Sequence, residues 1–170
     1  MCCLTSLGKG GRKMNAMTIM RRCRAAQDDT ERIQQRIEQR RDLLDSISAP
    51  PMDPNGGGHG SGDKDKTGRI LADIDLLERE KAARQEAWNA ERVAALSLLE
   101  MVPDLEGKIL HDYYVKRMDT GEIARKRKYT AGYVRKTKRS GEQLLEMLGA
   151  ERVKSVLPAW YLNKEKEEGT

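Results

Sequence analysis

The feature that most constrains this chain is a Pro- and Gly-rich stretch, residues 49–66. It holds three prolines and five glycines: Pro50, Pro51, Pro54, Gly56, Gly57, Gly58, Gly60 and Gly62. Proline has no backbone N–H to donate, and glycine loses the most conformational freedom on ordering, so the stretch cannot continue a helix and has little to bury. We therefore predict a flexible linker over residues 49–67.

On both sides of the linker, apolar residues recur at helical spacing among charged ones. The first stripe lies in residues 17–48 and the second in residues 68–101; their members are Ile33, Ile37, Leu44 and Ile47, then Ile70, Ile74, Leu77, Trp88, Ala95 and Leu99. Each helix is too polar to stand alone, so we predict a long antiparallel, coiled-coil-like hairpin. The apolar stripe of the hairpin can be covered by the chain itself, by a second copy or by another protein, and the sequence leaves these three alternatives open.

Positive charge is concentrated between Glu122 and Arg139. This segment contains eight Lys or Arg residues and one acidic residue, a net +7, although the whole chain carries only +5. A local excess of this kind predicts a surface that meets phosphate. The plainer interpretation is a solvated charged helix, and the pattern around the charges is what favours contact with DNA.

That pattern is two helices joined by a tight turn. Asp119 or Thr120 can cap the first helix, and Thr130 can cap the second, which we expect to end at Gly149. Val134 falls on the side of the second helix that would face inward. In a helix-turn-helix, the second helix lies in the major groove of DNA.

The sequence thus predicts an all-α chain whose residues 102–149 form a helix-turn-helix domain after a supporting helix. The support runs from about Pro103 and carries apolar residues at helical spacing. We expect the DNA-contacting residues to be Lys126, Lys128, Thr130, Tyr133, Arg135, Lys136, Lys138 and Arg139.

The run from Leu98 to Leu148 resembles the final, region-four helix-turn-helix domain of bacterial sigma factors. Such domains read as a leucine-rich helix, an "IL..RY" segment, an "EIA" helix, a small turn and a recognition helix with an inward "V"; here Ile109-Leu110, Glu122-Ile123-Ala124 and Val134 match. Residues 17–148 are also similar to a family of uncharacterised phage and prophage proteins that place a charged helical hairpin before such a domain, with "KDK" at residues 64–66.

The resemblance implies a DNA-binding transcription regulator of a phage or prophage. Double-stranded DNA would be its main partner, in the cytoplasm of the bacterial host. RNA polymerase and a second copy bound through the hairpin are further candidate partners. No membrane partner is implied.

Three places depart from the sigma pattern. The turn, usually Leu-Gly-Val-Ser, is Arg127-Lys128-Tyr129-Thr130, so Lys128 must take a backbone conformation usually given to glycine. The recognition helix opens with Ala131-Gly132 where long polar side chains are usual, so we expect binding to rest on counterion release more than on base readout. Thr137 and Gly141 stand where larger apolar residues are common, which predicts thin packing.

The two ends carry weaker patterns. Residues 1–16 are rich in Gly and Lys without periodicity, and we predict a disordered arm there. Residues 150–170 are predicted to be a tail, in which one or two helical turns precede Pro158, and Trp160 and Tyr161 dock on the small domain.

Neither a secretory signal nor a membrane span is predicted. We expect residues 1–66 to be dispensable for DNA affinity unless the hairpin dimerises.

No catalytic or metal site is predicted. His59 and His111 are far apart in sequence, and neither has Cys or carboxylate residues at ligand spacing. The three cysteines fit no zinc site or disulfide framework, and Gly56–Gly62 lacks the Lys-Ser/Thr of a phosphate-binding loop. We expect no enzyme activity and no cofactor.

Two alternatives to a transcription regulator stay open. The first is a phage DNA-packaging recognition subunit of the small-terminase type, which can also join a helix-turn-helix to a helical oligomerisation segment. The second is a helical protein-interaction module without specific DNA readout.

Overall fold

The computed structural model describes residues 15–48 and 63–168, and every regular element there is helical. The all-α prediction is confirmed. Residues 1–14 of the predicted arm and residues 49–62 of the predicted linker lie outside the described residues. In chain order the elements are α1 (Ala16–Ser48), α2 (Asp63–Leu99), α3 (Asp104–Leu110), a π-helical segment (His111–Val115), α4 (Thr120–Arg127), α5 (Ala131–Glu146), α6 (Ala150–Val156) and α7 (Ala159–Glu168).

The ends of the long helices differ slightly from the predicted bounds. α1 starts after Asn15, whose side-chain oxygen accepts a hydrogen bond from the Met17 backbone N–H at 2.8 Å. α2 starts at Asp63, inside the predicted linker, because the prolines end at Pro54 and the glycine run ends at Gly62.

The described chain divides into two compact units, which we call the core unit (residues 15–24 and 90–168) and the two-helix unit (residues 25–48 and 63–89). In the two-helix unit, residues of both predicted stripes form one buried cluster: Ile33, Ile37, Ile70, Ile74 and Leu77, with Leu44 and Ile47 packed against it. The Arg41 Nη2 atom pairs with Glu78 Oε1 at 2.7 Å across the same two helices. At these positions the apolar residues of α1 and α2 therefore pack against each other within this chain.

The main cluster of the core unit draws on segments far apart in sequence. Five of its nine members with no exposed surface are Met20, Leu98, Leu145, Val153 and Tyr161. They come from α1, α2, α5, α6 and α7 respectively. Long-range packing of apolar side chains thus holds the unit together.

Residues 150–168 are part of this core instead of a tail. α6 contributes Val153, and Leu157 and Tyr161 are buried nearby. The Tyr161 hydroxyl donates a hydrogen bond to Glu91 Oε2 at 2.7 Å and accepts one from Arg22. Of the two aromatic residues predicted to dock, Tyr161 does so, whereas Trp160 is 49% exposed.

The start of α1 also belongs to this core, which argues against the expectation that residues 1–66 are dispensable. Its buried members there are Ala16, Met17, Ile19, Met20 and Cys23. Deleting them would expose the facing apolar residues to water, at a cost of about 25 cal/mol for each Å² of apolar surface. The sequence could not reveal this, because the partners lie more than seventy residues away.

A second cluster in the core unit fixes α4 and α5 on α3. Its buried members are Ile109, Ile123, Ala124 and Val134. Val134 has no exposed surface, so its predicted inward position is confirmed.

The contact between α5 and α3 is close at Gly141, contrary to the predicted thin packing. A Cβ atom added to Gly141 would lie 2.8 Å from Leu110 Cδ1 and 3.1 Å from Glu106 Cβ. The missing side chain therefore lets the two helices approach closely, and a larger residue would not fit without movement.

Candidate nucleic-acid interface

The start of α4 is fixed by reciprocal hydrogen bonds between Asp119 and Glu122. The Glu122 backbone N–H donates to Asp119 Oδ1 at 2.8 Å, and the Asp119 backbone N–H donates to Glu122 Oε2 at 2.7 Å. This capping box satisfies two N–H groups that the helix itself leaves unpaired. The prediction of a cap at Asp119 or Thr120 is confirmed, with Asp119 as the cap.

The turn between α4 and α5 requires the left-handed backbone conformation at Lys128. Its φ is 57° and its ψ is 39°, as the departure from the usual glycine predicts. The Tyr129 N–H donates to the Ala124 carbonyl at 3.0 Å, which closes the end of α4. Thr130 then caps α5, since its hydroxyl oxygen accepts from the Tyr133 N–H at 3.2 Å.

The predicted stop of α5 at Gly149 is wrong by three residues. The helix ends at Glu146, and Gly149 instead precedes the first residue of α6 with a φ of −63°. Glycine therefore does not act here as a left-handed C-terminal cap.

The two faces of α5 differ sharply in character. Its buried face holds Val134, Thr137, Gly141 and Leu145. The exposed face carries Gly132, Arg135, Lys136, Arg139 and Gln143. Among the described residues, no carboxylate pairs with Arg135, Lys136 or Arg139, so their positive charge is directed to solvent.

The cations of α4 fall into two groups. Arg125 and the Lys128 that follows the helix are exposed and, within the described part of the chain, have no ion pair. Arg127 and Lys126 instead contact Asp112 of the π-helical segment. Arg127 Nη2 and Nε lie 2.7 and 2.8 Å from Asp112 Oδ2, and Lys126 Nζ lies 3.3 Å from Oδ1.

Asp112 is a buried anion at the edge of this surface. Its side chain is 1% exposed, and Lys116 Nζ also lies 3.7 Å from Oδ1. Burial alone would raise the pKa of Asp112, but the hydrogen bonds from Arg127 and Lys126 outweigh it and hold the pKa below its ordinary value. The ionised carboxylate therefore ties α4 to the segment that precedes it. Sequence reasoning missed this residue, whose only local signal is an acidic side chain before Tyr113, Tyr114 and Val115.

Lys138 is placed differently from the other predicted contact residues of α5. Its side chain is only 18% exposed, its Nζ pairs with Glu142 Oε1 at 2.7 Å, and the same atom lies 4.2 Å from the centre of the Tyr113 ring. The sequence spacing indicates this position, because Lys138 follows the inward Val134 by one helical turn and precedes its partner Glu142 by another. The remaining predicted residues, Lys126, Lys128, Thr130, Tyr133, Arg135, Lys136 and Arg139, lie on or beside the turn and the exposed side of α5.

Two tyrosines lie at the start of this surface. Tyr129 and Tyr133 are 42% and 43% exposed, and their ring centres are 5.0 Å apart. Only Tyr133 was predicted as a site residue. Tyr129 follows the left-handed Lys128, which places its ring beside that of Tyr133.

Other kinds of site have little support in the described residues. In residues 15–48 and 63–168, no group of three or more His, Cys, Asp and Glu side chains could hold a metal ion. Over the same ranges, no helix combines the length and the apolar character needed to cross a lipid bilayer. Comparisons with known protein families, with curated proteins and with solved structures found no match to this chain.

Proposed function

We propose that this chain is a DNA-binding transcription regulator of a phage or prophage, in which α4 and α5 act as a sigma-like helix-turn-helix. α5 is the recognition helix and enters the major groove of double-stranded DNA. One observation carries the proposal. The exposed face of a helix that is capped and buried on its other side presents Arg135, Lys136 and Arg139, without an ion pair to any described carboxylate.

The composition of that face favours phosphate contact over base readout. The first two residues of α5 are Ala131 and Gly132, which offer no side-chain hydrogen bonds. Affinity then comes mainly from counterion release, and the logarithm of the binding constant falls by about 0.9 per neutralised phosphate for each unit of log salt concentration. Arg125 and Lys128 extend the cationic surface onto the preceding turn.

The two long helices fit an antiparallel hairpin with a supporting role. The buried cluster of Ile33, Ile37, Ile70, Ile74 and Leu77 supports this arrangement. A dimer through the hairpin would present two recognition helices to one duplex. RNA polymerase is a further proposed partner, and the bacterial cytoplasm is the proposed location.

The proposal is tested by removing two charges from the exposed face of α5. We expect Arg135→Ala together with Lys136→Ala to weaken binding to a short duplex at least tenfold. The salt dependence should also become shallower by about two in logarithmic slope, because two phosphate contacts are lost. Fluorescence anisotropy at several salt concentrations measures both quantities.

The matched control removes one Lys and one Arg from α2 in the two-helix unit. Lys81→Ala together with Arg84→Ala changes the net charge by the same amount but should leave affinity and slope nearly unchanged. Circular dichroism should show that both double variants keep their helix content. Equal loss of affinity in the two would mean that net charge, and not the face of α5, governs binding.

Exposed leucines on α2 favour a second candidate, a DNA-packaging recognition subunit. Leu71 and Leu76 are 50% and 62% exposed in the two-helix unit, as expected if this unit contacts other copies. Packaging subunits work as rings, so the solution mass separates the two functions. A closed ring of many copies would favour packaging, and a monomer or dimer would favour the regulator.

A further inference from the structure

Two of the five tyrosines of this chain differ from the rest in having much of their ring exposed. Tyr114 and Tyr161 are buried, and their hydroxyls are hydrogen-bonded to Glu142 and Glu91. The cationic groups of Arg24 and Lys138 lie 4.1 and 4.2 Å from the centre of the Tyr113 ring. Tyr129 and Tyr133 contact each other and are more than two-fifths exposed. Contacts within the core unit therefore account for Tyr113, Tyr114 and Tyr161, but not for the exposed pair Tyr129 and Tyr133.

The pair lies among the cations that have no ion pair within the described residues. Tyr129 directly follows Lys128, and Tyr133 lies one helical turn before Lys136 on α5. Between the two rings the chain carries only small residues, Thr130, Ala131 and Gly132. A Cβ atom added to Gly132 would meet nothing within 4 Å, so there is open space at Gly132, the residue before Tyr133.

We propose that Tyr129 and Tyr133 form a stacking site for an unpaired DNA base, whose neighbouring phosphates bind Lys128 and Lys136. The inference rests on the proposed function, because it uses the same cationic surface. A base inside a duplex has both faces covered by its neighbours, so only an unpaired base, or one at an opened step, can offer a face to these rings. Base–aromatic stacking tolerates any base, which suits a surface with few hydrogen-bonding side chains over the bases.

The stacking site predicts a preference that phosphate contact alone does not produce. Cations on a helix bind the backbone of a fully paired duplex and of a bulged duplex about equally well. An aromatic stack adds about 1–3 kcal/mol per base by alanine substitution, or roughly five- to 150-fold in affinity. The expected preference for a duplex with unpaired bases is on the order of tenfold.

The experiment compares two labelled DNA duplexes of equal length, one fully paired and one with a few unpaired thymines at its centre. Anisotropy titrations use the full chain in four forms: wild type, Tyr129→Leu with Tyr133→Leu, Tyr129→Phe with Tyr133→Phe, and Arg135→Ala with Arg139→Ala. Leucine keeps apolar volume but has no aromatic face, and phenylalanine keeps the face but has no hydroxyl. Thermal unfolding by circular dichroism checks that each variant folds, and Tyr133→Leu alone serves if the double Leu variant does not.

The proposal requires that wild type and the Phe variant bind the duplex with unpaired thymines more tightly than the fully paired one. The Leu variant should lose this preference. The Arg135→Ala, Arg139→Ala variant, which leaves the stacking site intact, should bind both duplexes more weakly while it keeps the preference for unpaired bases. Equal binding of the two duplexes by wild type, or a preference that survives the Leu substitutions, would overturn the stacking site but leave duplex binding intact. If wild type binds neither duplex, the proposed function fails together with this inference.

Discussion

Asp112 illustrates how one buried charge can fix the edge of a cationic surface. Its carboxylate contacts Arg127, Lys126 and Lys116, three cations of which none lies on α5. The ion pairs hold α4 against the π-helical segment, and they also neutralise part of the positive charge next to α5. Arg127 is thereby a structural cation, in contrast to the exposed Arg125.

We predict that Asp112→Asn destabilises the core unit at neutral pH by about 2–3 kcal/mol, because it leaves partly buried Arg127 without a counter-charge. The control is Asp104→Asn, which removes an exposed carboxylate paired with Lys108 and should change stability by less than about 0.5 kcal/mol. Urea unfolding followed by circular dichroism measures both. Equal effects of the two substitutions would contradict the structural role of Asp112.

The same residue predicts a dependence of stability on pH. Because the pKa of Asp112 is lower in the folded chain than its ordinary value of 3.8, its stabilising contribution is fully present above that value. It is lost as the pH falls through the lowered folded-state pKa, where the native carboxylate takes up its proton. The stability difference between wild type and Asp112→Asn should therefore shrink on acidification from about pH 5 towards pH 2.

At the scale of elements, the turn from α4 to α5 depends on an unfavourable conformation at one residue. A non-glycine residue in the left-handed region costs about 1 kcal/mol relative to glycine. We predict that Lys128→Gly stabilises the core unit by about 0.5–1 kcal/mol, because it removes the backbone strain at this position. Glycine also gives the unfolded chain more conformational freedom, and this offsets part of the gain.

The matched control for this turn is Arg125→Gly, which also replaces an exposed cation by glycine but inside α4. It should destabilise by about 1 kcal/mol, because glycine weakens a helix interior. Thermal melts of the two variants should thus shift in opposite directions. Destabilisation by Lys128→Gly would show that its side chain makes a contribution larger than the backbone strain.

Local signals explain why these elements could be predicted from sequence. A cap such as Asp119 or Thr130 depends on residues within one turn, and so does the left-handed turn at Lys128. The end of α5 is harder to predict from sequence. Gly149 is a residue type that often ends a helix, but here it is the N-cap residue of α6. The charge of Lys138 predicts a contact with DNA, whereas its spacing from Val134 predicts the inner side of α5, where its side chain is only 18% exposed.

At the scale of the whole molecule, prediction from sequence fails where contacts are long-range. The apolar stripes of α1 and α2 predicted the buried cluster of the two-helix unit, because each stripe is visible in its own helix. Nothing local indicated that Met20, Leu145 and Tyr161 share one core. Local patterns therefore predict a tail at the C-terminus and a dispensable segment at the start of α1, and the shared core argues against both.

The most direct test of the central claim is the response of backbone amide resonances of the full chain to a short DNA duplex. Gly132 on α5 and Gly68 on α2 form a matched pair, since both have open surroundings and glycine amides are readily identified. We predict large shifts for residues 128–139, Gly132 included, and an unmoved Gly68. Shifts confined to residues 69–89, or no shifts at all, would contradict the assignment of α5 as the helix that meets DNA.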